Sequence, residues 1–359
     1  MRKHYIDNLR WAAVLMLIPY HTMMMYNNWG ESFYIWVKGL SVPSIAINLL
    51  WPGYMPLLFV LAGISTKYAL EKRSPKEFLK ERFLRLFVPL VSGVLLLVPA
   101  QTYFAERYHN NYTGGYLAQY VLFFTKETNL TGYHGGFTPA HLWFILYLFL
   151  ISLAALGLIM LIKKNRINIR ADKIPFAVIV SMFVLTTAMC LVLDIAGKSI
   201  GEYFTLFLLG YYLLSEDAVM ETLERNLRWL IVLFAAAVAG LIGLFIFGRA
   251  WEIALGILLR AVGWLTILVL LVFAKRYFNM SGKLARYLSA SSFPIYLFHQ
   301  TVLVAVAYYV VGFTDIPIVQ SMLVIVMTTV LSFAAYELFK RTAPTRFMFG
   351  IKYTSSKAK

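Results

Sequence analysis

Apolar residues run along this chain in repeated blocks of about 20, separated by short polar segments, and a helix of that length crosses the ~30 Å hydrocarbon core of a bilayer. The blocks predict spans over 8–27, 44–68, 83–104, 142–162, 175–194, 201–215, 229–248, 253–274, 290–311 and 318–339, the sixth being short. No internal repeat, low-complexity stretch or linker interrupts them. Residues 1–345 therefore read as one integral membrane domain, followed by a basic tail over 346–359.

The polar segments alternate in charge. Segment 69–82 holds Lys72, Arg73, Lys76, Lys80 and Arg82, segment 163–174 holds Lys163, Lys164, Arg166, Arg170 and Lys173, and segment 275–289 holds Lys275, Arg276, Lys283 and Arg286. The tail adds Lys340, Arg341, Arg346, Lys352, Lys357 and Lys359. By contrast, 28–43 has only Lys38, 105–141 only Arg107 and Lys126, 195–200 only Lys198, and 312–317 no basic residue. Basic loops stay in the cytoplasm. The expected fold is all-α: a polytopic transmembrane bundle of about ten helices with both termini cytoplasmic, and an even span count agrees with that. Arg2 and Lys3 before an apolar stretch resemble a signal peptide, but no small-x-small cleavage site follows, so the stretch reads as a retained first helix.

Composition sharpens the picture. The chain is 60% hydrophobic and 14% charged, with mean hydropathy +0.70, whereas a soluble domain is about half apolar and about a quarter charged. The net charge of +16 sits in the loops, which assigns it to membrane topology rather than to nucleic acid. Cys190 is the only cysteine, which excludes an intrachain disulfide, a thiolate metal cluster and a redox pair.

An ionisable side chain within a span costs several kcal/mol unless it faces a wet cavity or the bundle interior, so each one is a candidate for function. Arg10 and His21 lie eleven residues apart in the first span. On a helix that spacing returns the side chain to within about 20° of the same face, about 16 Å further along. Arg10 falls near the cytoplasmic boundary and His21 deep in the membrane, with Pro19 freeing a backbone carbonyl nearby. Taken singly, Arg10 could be a snorkelling interfacial residue and His21 a hydrogen-bonded core histidine; together they mark one stripe, an anion-binding group at the mouth of a channel with a base at its end.

Arg82 and Arg85, three apart, are neighbours at the start of a helix, placed to grip phosphates or simply to anchor it. His299 lies near mid-membrane with Tyr296 one turn before it, either as part of a site or as a polar tie between helices. Arg260 requires an anionic partner or water, with Glu202, Glu252 and Glu337 as candidate partners. His141 and Trp143 open the fourth span and could line an entrance, although interfacial Trp is often an anchor. The 105–141 loop, rich in Tyr, His and Gly (Tyr108, His109, Tyr112, Tyr116, His134, Gly135, Gly136), suits an ordered cap. His21 and His299 are single imidazoles on different helices without an acidic cluster, so no metal is expected; a P-loop and a Rossmann fingerprint are also absent.

These residues resemble the acyltransferase 3 family, whose first helix carries an Arg followed eleven residues later by a His, as Arg10 and His21 do. Met55–Gly63 is similar to its Phe-x-x-Ser-Gly segment, with Ala62 in place of the Ser. Phe78–Pro89 resembles its Arg-x-x-Arg entry to the third helix, Leu142–Tyr147 its Trp-Phe start to the fourth, and Phe293–Gln300 its late Tyr-x-x-His helix. The resemblance covers residues 5 to about 340. It implies a membrane enzyme of the cell envelope that moves an acyl group, commonly acetyl, from a donor such as acyl-CoA onto a hydroxyl of a carbohydrate or similar acceptor. On that reading His21 is general base or acyl carrier, assisted by Arg10 and His299. Arg10, Arg82, Arg85 and Tyr296 hold the acyl-CoA, and His141 and Trp143 line the acceptor entrance. The competing expectation is a transporter or flippase for a lipid-linked or anionic substrate, which intramembrane Arg and His also suit; the lack of an inverted repeat counts against it.

Overall fold

The computed structural model describes residues 3–29, 33–128, 130–165, 173–195, 197–247 and 252–352. Arg2, Arg166, Arg170, Lys357 and Lys359, counted above for topology, lie outside the described residues. The chain is 78% helical. Its helices are α1 (His4–Met24), α2 (Ser41–Leu70), α3 (Pro75–His109), α4 (Tyr116–Thr125), α5 (Ala140–Lys164), α6 (Phe176–Met189), α7 (Ile200–Leu214), α8 (Asp217–Arg225), α9 (Leu227–Phe247), α10 (Glu252–Tyr277), α11 (Lys283–Val311), α12 (Pro317–Phe339) and α13 (Ala343–Met348). Among the described residues the only strands are β1 (Asp194–Ile195) and β2 (Lys198–Ser199), an antiparallel pair in which Asp194 faces Ser199.

Among the described residues seven helices, α2, α3, α5, α9, α10, α11 and α12, are long and apolar enough to cross a membrane. The other three segments expected to span are helical too. α6 and α7 are shorter, and α1 carries Asp7, Arg10 and His21 along its length, which lowers its hydropathy. The third span starts earlier than its apolar block, because Ser74 and Glu77 form a reciprocal cap: Ser74 N–H donates to Glu77 Oε2 at 2.8 Å and Glu77 N–H to Ser74 Oγ at 3.3 Å. That places Arg82 inside a continuous helix, ahead of a π turn over Phe83–Phe87.

Two compact units make up the chain. The first comprises residues 1–10, 49–80 and 147–282. Within it α2 packs backbone to backbone against α7 and α10 at glycines: a Cβ on Gly63 would overlap the Phe207 carbonyl, one on Gly210 the Val60 carbonyl, and one on Gly263 the Pro52 carbonyl. Small residues permit this approach where van der Waals packing, not hydrophobic exclusion, joins helices. Buried Trp264 donates its indole N–H to the Ile179 carbonyl at 2.9 Å. Asn8 Nδ2 donates to the carbonyls of Phe278 (2.7 Å) and Met280 (2.9 Å), tying the start of α1 to the end of α10.

The second unit comprises residues 11–48, 81–146 and 283–359. α11 and α12 pack as a hairpin, and Met25, Tyr26, Phe33, Tyr34 and Ile35 join Leu303, Val304, Ala307 and Val324 in a buried cluster. The segment after α1 is strapped back onto its end by Val37 N–H to Met25 O (2.9 Å) and Leu40 N–H to Tyr26 O (2.8 Å). Within 105–141, Lys126 and Asn110 both engage the buried Glu106 carboxylate, and Gln119 donates to the Gly135 carbonyl at 3.0 Å. Gly135 has φ +80°, and a Cβ there would run into Glu106, so only glycine fits. Towards the end of the described chain, Phe349 packs on Phe298 and Phe339 at ring-centroid distances of 4.9 and 5.1 Å.

Candidate active site

Four expected residues meet in the second unit. On α11, Tyr296 and His299 are one turn apart and both buried. His299 Nδ1 lies 2.8 Å from the Tyr296 carbonyl, and a carbonyl only accepts, so Nδ1 carries the hydrogen and the neutral ring has its lone pair at Nε2. His141 enters from the start of α5, after Ala140, whose φ of +47° turns the chain sharply. It is clamped to α11 at two points: Tyr296 Oη donates to the His141 carbonyl, and His141 Nε2 donates to the Leu297 carbonyl at 3.1 Å. By the same logic His141 has its lone pair at Nδ1. His21 completes the group from α1, with its ring centroid 5.4 Å from that of His299 at 29°. His141 and His299 meet edge to face at 5.2 Å.

The decisive feature is what these rings lack. His21 Nδ1, His141 Nδ1 and His299 Nε2 are buried, and among the described residues none has a hydrogen-bond partner. A buried polar atom left unpaired costs about 1–3 kcal/mol, and folded proteins leave few. Three lie in one cluster, two of them lone pairs held in place by backbone carbonyls, and such lone pairs can accept from a hydrogen donor. Among the described residues no group of three or more His, Cys, Asp or Glu has the arrangement of a metal site. Phe33 lies over His21, with ring centroids 6.0 Å apart and planes within 6°.

Arg10 belongs to the first unit. There it bridges α1 and α2, donating from Nη1 to Asp7 Oδ1 at 3.2 Å, from Nη2 to the Leu61 carbonyl at 3.4 Å and from Nη2 to Ser65 Oγ. Ser65 thus supplies a hydroxyl three residues after Ala62, where the expected motif has its Ser. Arg82 and Arg85 belong to the second unit and are half-buried. Arg85 lies in the π turn and pairs with Glu81 at 3.2 Å. Trp143 sits two residues beyond His141 with its ring edge-on to Phe144 at 6.5 Å. Arg260 chooses Glu202, which accepts from its Nε at 3.2 Å and its Nη2 at 3.0 Å. Phe33, Ser65 and the joining of His141 to the other histidines were not anticipated.

A family model described as an acyltransferase domain, that of acyltransferase 3, matches residues 3–337. The chain belongs to the acyltransferase 3 family. No curated protein and no solved structure matches it. Membership makes it a membrane acyltransferase, and its long apolar helices make it a multi-pass membrane protein. Both residues of the acyltransferase 3 pair, Arg10 and His21, lie on one uninterrupted helix, α1.

Proposed function

We propose that this acyltransferase moves an acyl group, acetyl foremost, from acyl-CoA onto a hydroxyl of a carbohydrate or similar acceptor, at the cell membrane. The observation that carries the reading is the cluster of unpaired buried imidazole nitrogens on His21, His141 and His299. In the direct route the acceptor oxygen attacks the thioester carbonyl carbon. His21 takes the hydroxyl proton as the carbon–oxygen bond forms, the carbon–sulfur bond breaks, and the proton passes to the departing thiolate. In the alternative route a His21 nitrogen bonds to the thioester carbonyl carbon as the carbon–sulfur bond breaks and the thiolate leaves; the acceptor oxygen then bonds to that carbon as the nitrogen–carbon bond breaks, its proton passing by way of the His299 Nε2 lone pair to the thiolate. His141 Nδ1, with Trp143 beyond it, receives the acceptor. In the second unit Arg82 and Arg85 offer the positive charge that a CoA phosphate requires, as Arg10 does in the first, and Tyr296 fixes His141 and His299.

The test is thiol release from acetyl-CoA by purified protein, with and without oligosaccharide acceptors, beside flux measurements in proteoliposomes. Acceptor-dependent thiol release with label on the sugar supports the reading. Substrate flux without acyl transfer overturns it.

A further inference from the structure

Phe33 belongs to no motif, yet its placement is specified from several sides. The residue is 3% exposed. One face of its ring stacks on His21, while Tyr34 (5.5 Å, 83°) and Tyr133 (6.1 Å, 65°) pack edge-on to it. Its carbonyl accepts from His109 Nε2 at 2.7 Å, which fixes the backbone to the end of α3. Downstream, Trp36 donates its indole N–H to the Asn27 carbonyl at 3.0 Å, and Tyr108 Oη donates to the Trp36 carbonyl. The phenyl ring is therefore held where it is by hydrogen bonds at and beyond its own residue, not merely by apolar packing.

His299 also stacks on His21, at 5.4 Å, so two rings cover part of His21, which stays half-buried with an uncovered edge. An acyl group activated at such an edge meets what is presented along that edge and little else. Water is the smallest competitor for it. Its exclusion decides whether an acyl-transfer site transfers or hydrolyses.

Resting on the acyl-transfer reading above, we infer that Phe33 is a specificity-determining residue that reserves the acyl group for a hydroxyl acceptor by excluding water from His21. Without the ring, water takes the acceptor's place. Its oxygen bonds to the thioester carbonyl carbon, the carbon–sulfur bond breaks, and one water proton travels by way of His21 to the thiolate. The products are a free carboxylic acid and the free thiol.

Two readouts test this, and only the second depends on the donor. Diethyl pyrocarbonate labels exposed imidazole nitrogens, and mass spectrometry resolves the rate at His21, with exposed His134 as internal reference. Phe33→Ala is expected to raise the His21 rate about tenfold and Phe33→Leu, which keeps part of the cover, about threefold, with His134 unchanged. Either variant leaving His21 at the wild-type rate overturns the inference, so it stays testable if Phe33→Ala does not fold. Thiol release from acetyl-CoA without acceptor is expected to rise about tenfold in Phe33→Ala and to vanish when His21→Ala is added. Faster labelling without faster thiol release, in a protein whose wild type turns over acetyl-CoA, overturns water exclusion. If no variant releases thiol and wild type does not either, the donor assignment fails while the labelling still judges the cover.

Discussion

Replacing Gly63 by Ala tests the packing that carries α2 through the first unit. A Cβ there would lie 2.9 Å from the Phe207 carbonyl carbon and 3.0 Å from the Tyr211 nitrogen, and nearer still to the Phe207 oxygen. Non-bonded heavy atoms in good contact sit about 3.5–4.0 Å apart, and the Phe207 oxygen is the limiting neighbour, so α2 and α7 would have to separate by more than about 1 Å. No rotamer change relieves the clash, because the opposing atoms are backbone. The separation would be felt again at Gly210, where a Cβ would meet the Val60 backbone on the other side of the same contact. Overpacking of this kind costs about 1–3 kcal/mol, and a backbone-to-backbone clash belongs at the upper end. For a chain of this size, at about 2.1 cal/mol/K of unfolding entropy per residue, about 3 kcal/mol is a fall of roughly 4 °C in apparent melting temperature. The assay is thermal unfolding in detergent at one scan rate, with Gly157→Ala as the control. Gly157 lies within α5 and an added Cβ meets nothing within 4 Å, so helix propensity alone predicts no loss and up to about 1 kcal/mol of gain. Equal midpoints for the two variants would refute the close-packed account of α2.

The Arg260–Glu202 pair is partly exposed, at 24% and 17%, so Glu202→Gln is expected to cost about 2 kcal/mol in thermal unfolding, below the full penalty of breaking a buried pair. A double variant with Arg260→Met should recover part of that loss, since no charge is then stranded. Tyr296→Phe removes the donor to the His141 carbonyl and lets that ring wander; turnover should fall about tenfold with KM nearly unchanged. Burial alone would lower the Lys3 ammonium's pKa, but hydrogen bonds with Asp217 and Tyr68 outweigh it and hold it above the usual lysine range. A raised value stabilises the fold fully below about 10.4 and loses that contribution only as pH climbs through the folded value. Asp217→Asn should therefore reduce stability by less than about 1 kcal/mol, and equally at pH 6.5 and pH 9.

Much of this was legible in the sequence, and the gaps have physical causes. Apolar blocks located the long helices because a span must satisfy its backbone internally and present apolar side chains to lipid. The Ser74–Glu77 cap was also written in the sequence, but the basic residues around it read as loop. His21 and His299 stood out as ionisable residues in apolar runs, while His141 read as an entrance residue. Its place beside His299 depends on the turn at Ala140 and on a clamp to α11 about 155 residues away, which no local pattern encodes. Phe33 sits in an irregular segment with no period to mark its face. Arg260 needed an acid and the chain offered three; only tertiary packing selects Glu202. The π turn after Arg82 likewise leaves no periodic trace.

The central claim is that His21 performs the acyl transfer, and one comparison addresses it. Wild type and His21→Ala, purified in detergent, are incubated with radiolabelled acetyl-CoA, and bound donor, released CoA and protein-bound label are followed together. The account predicts that His21→Ala still binds the donor but loses CoA release by at least about 100-fold, the scale of a missing general base or nucleophile. Release by His21→Ala at the wild-type rate, with donor binding intact, would contradict it.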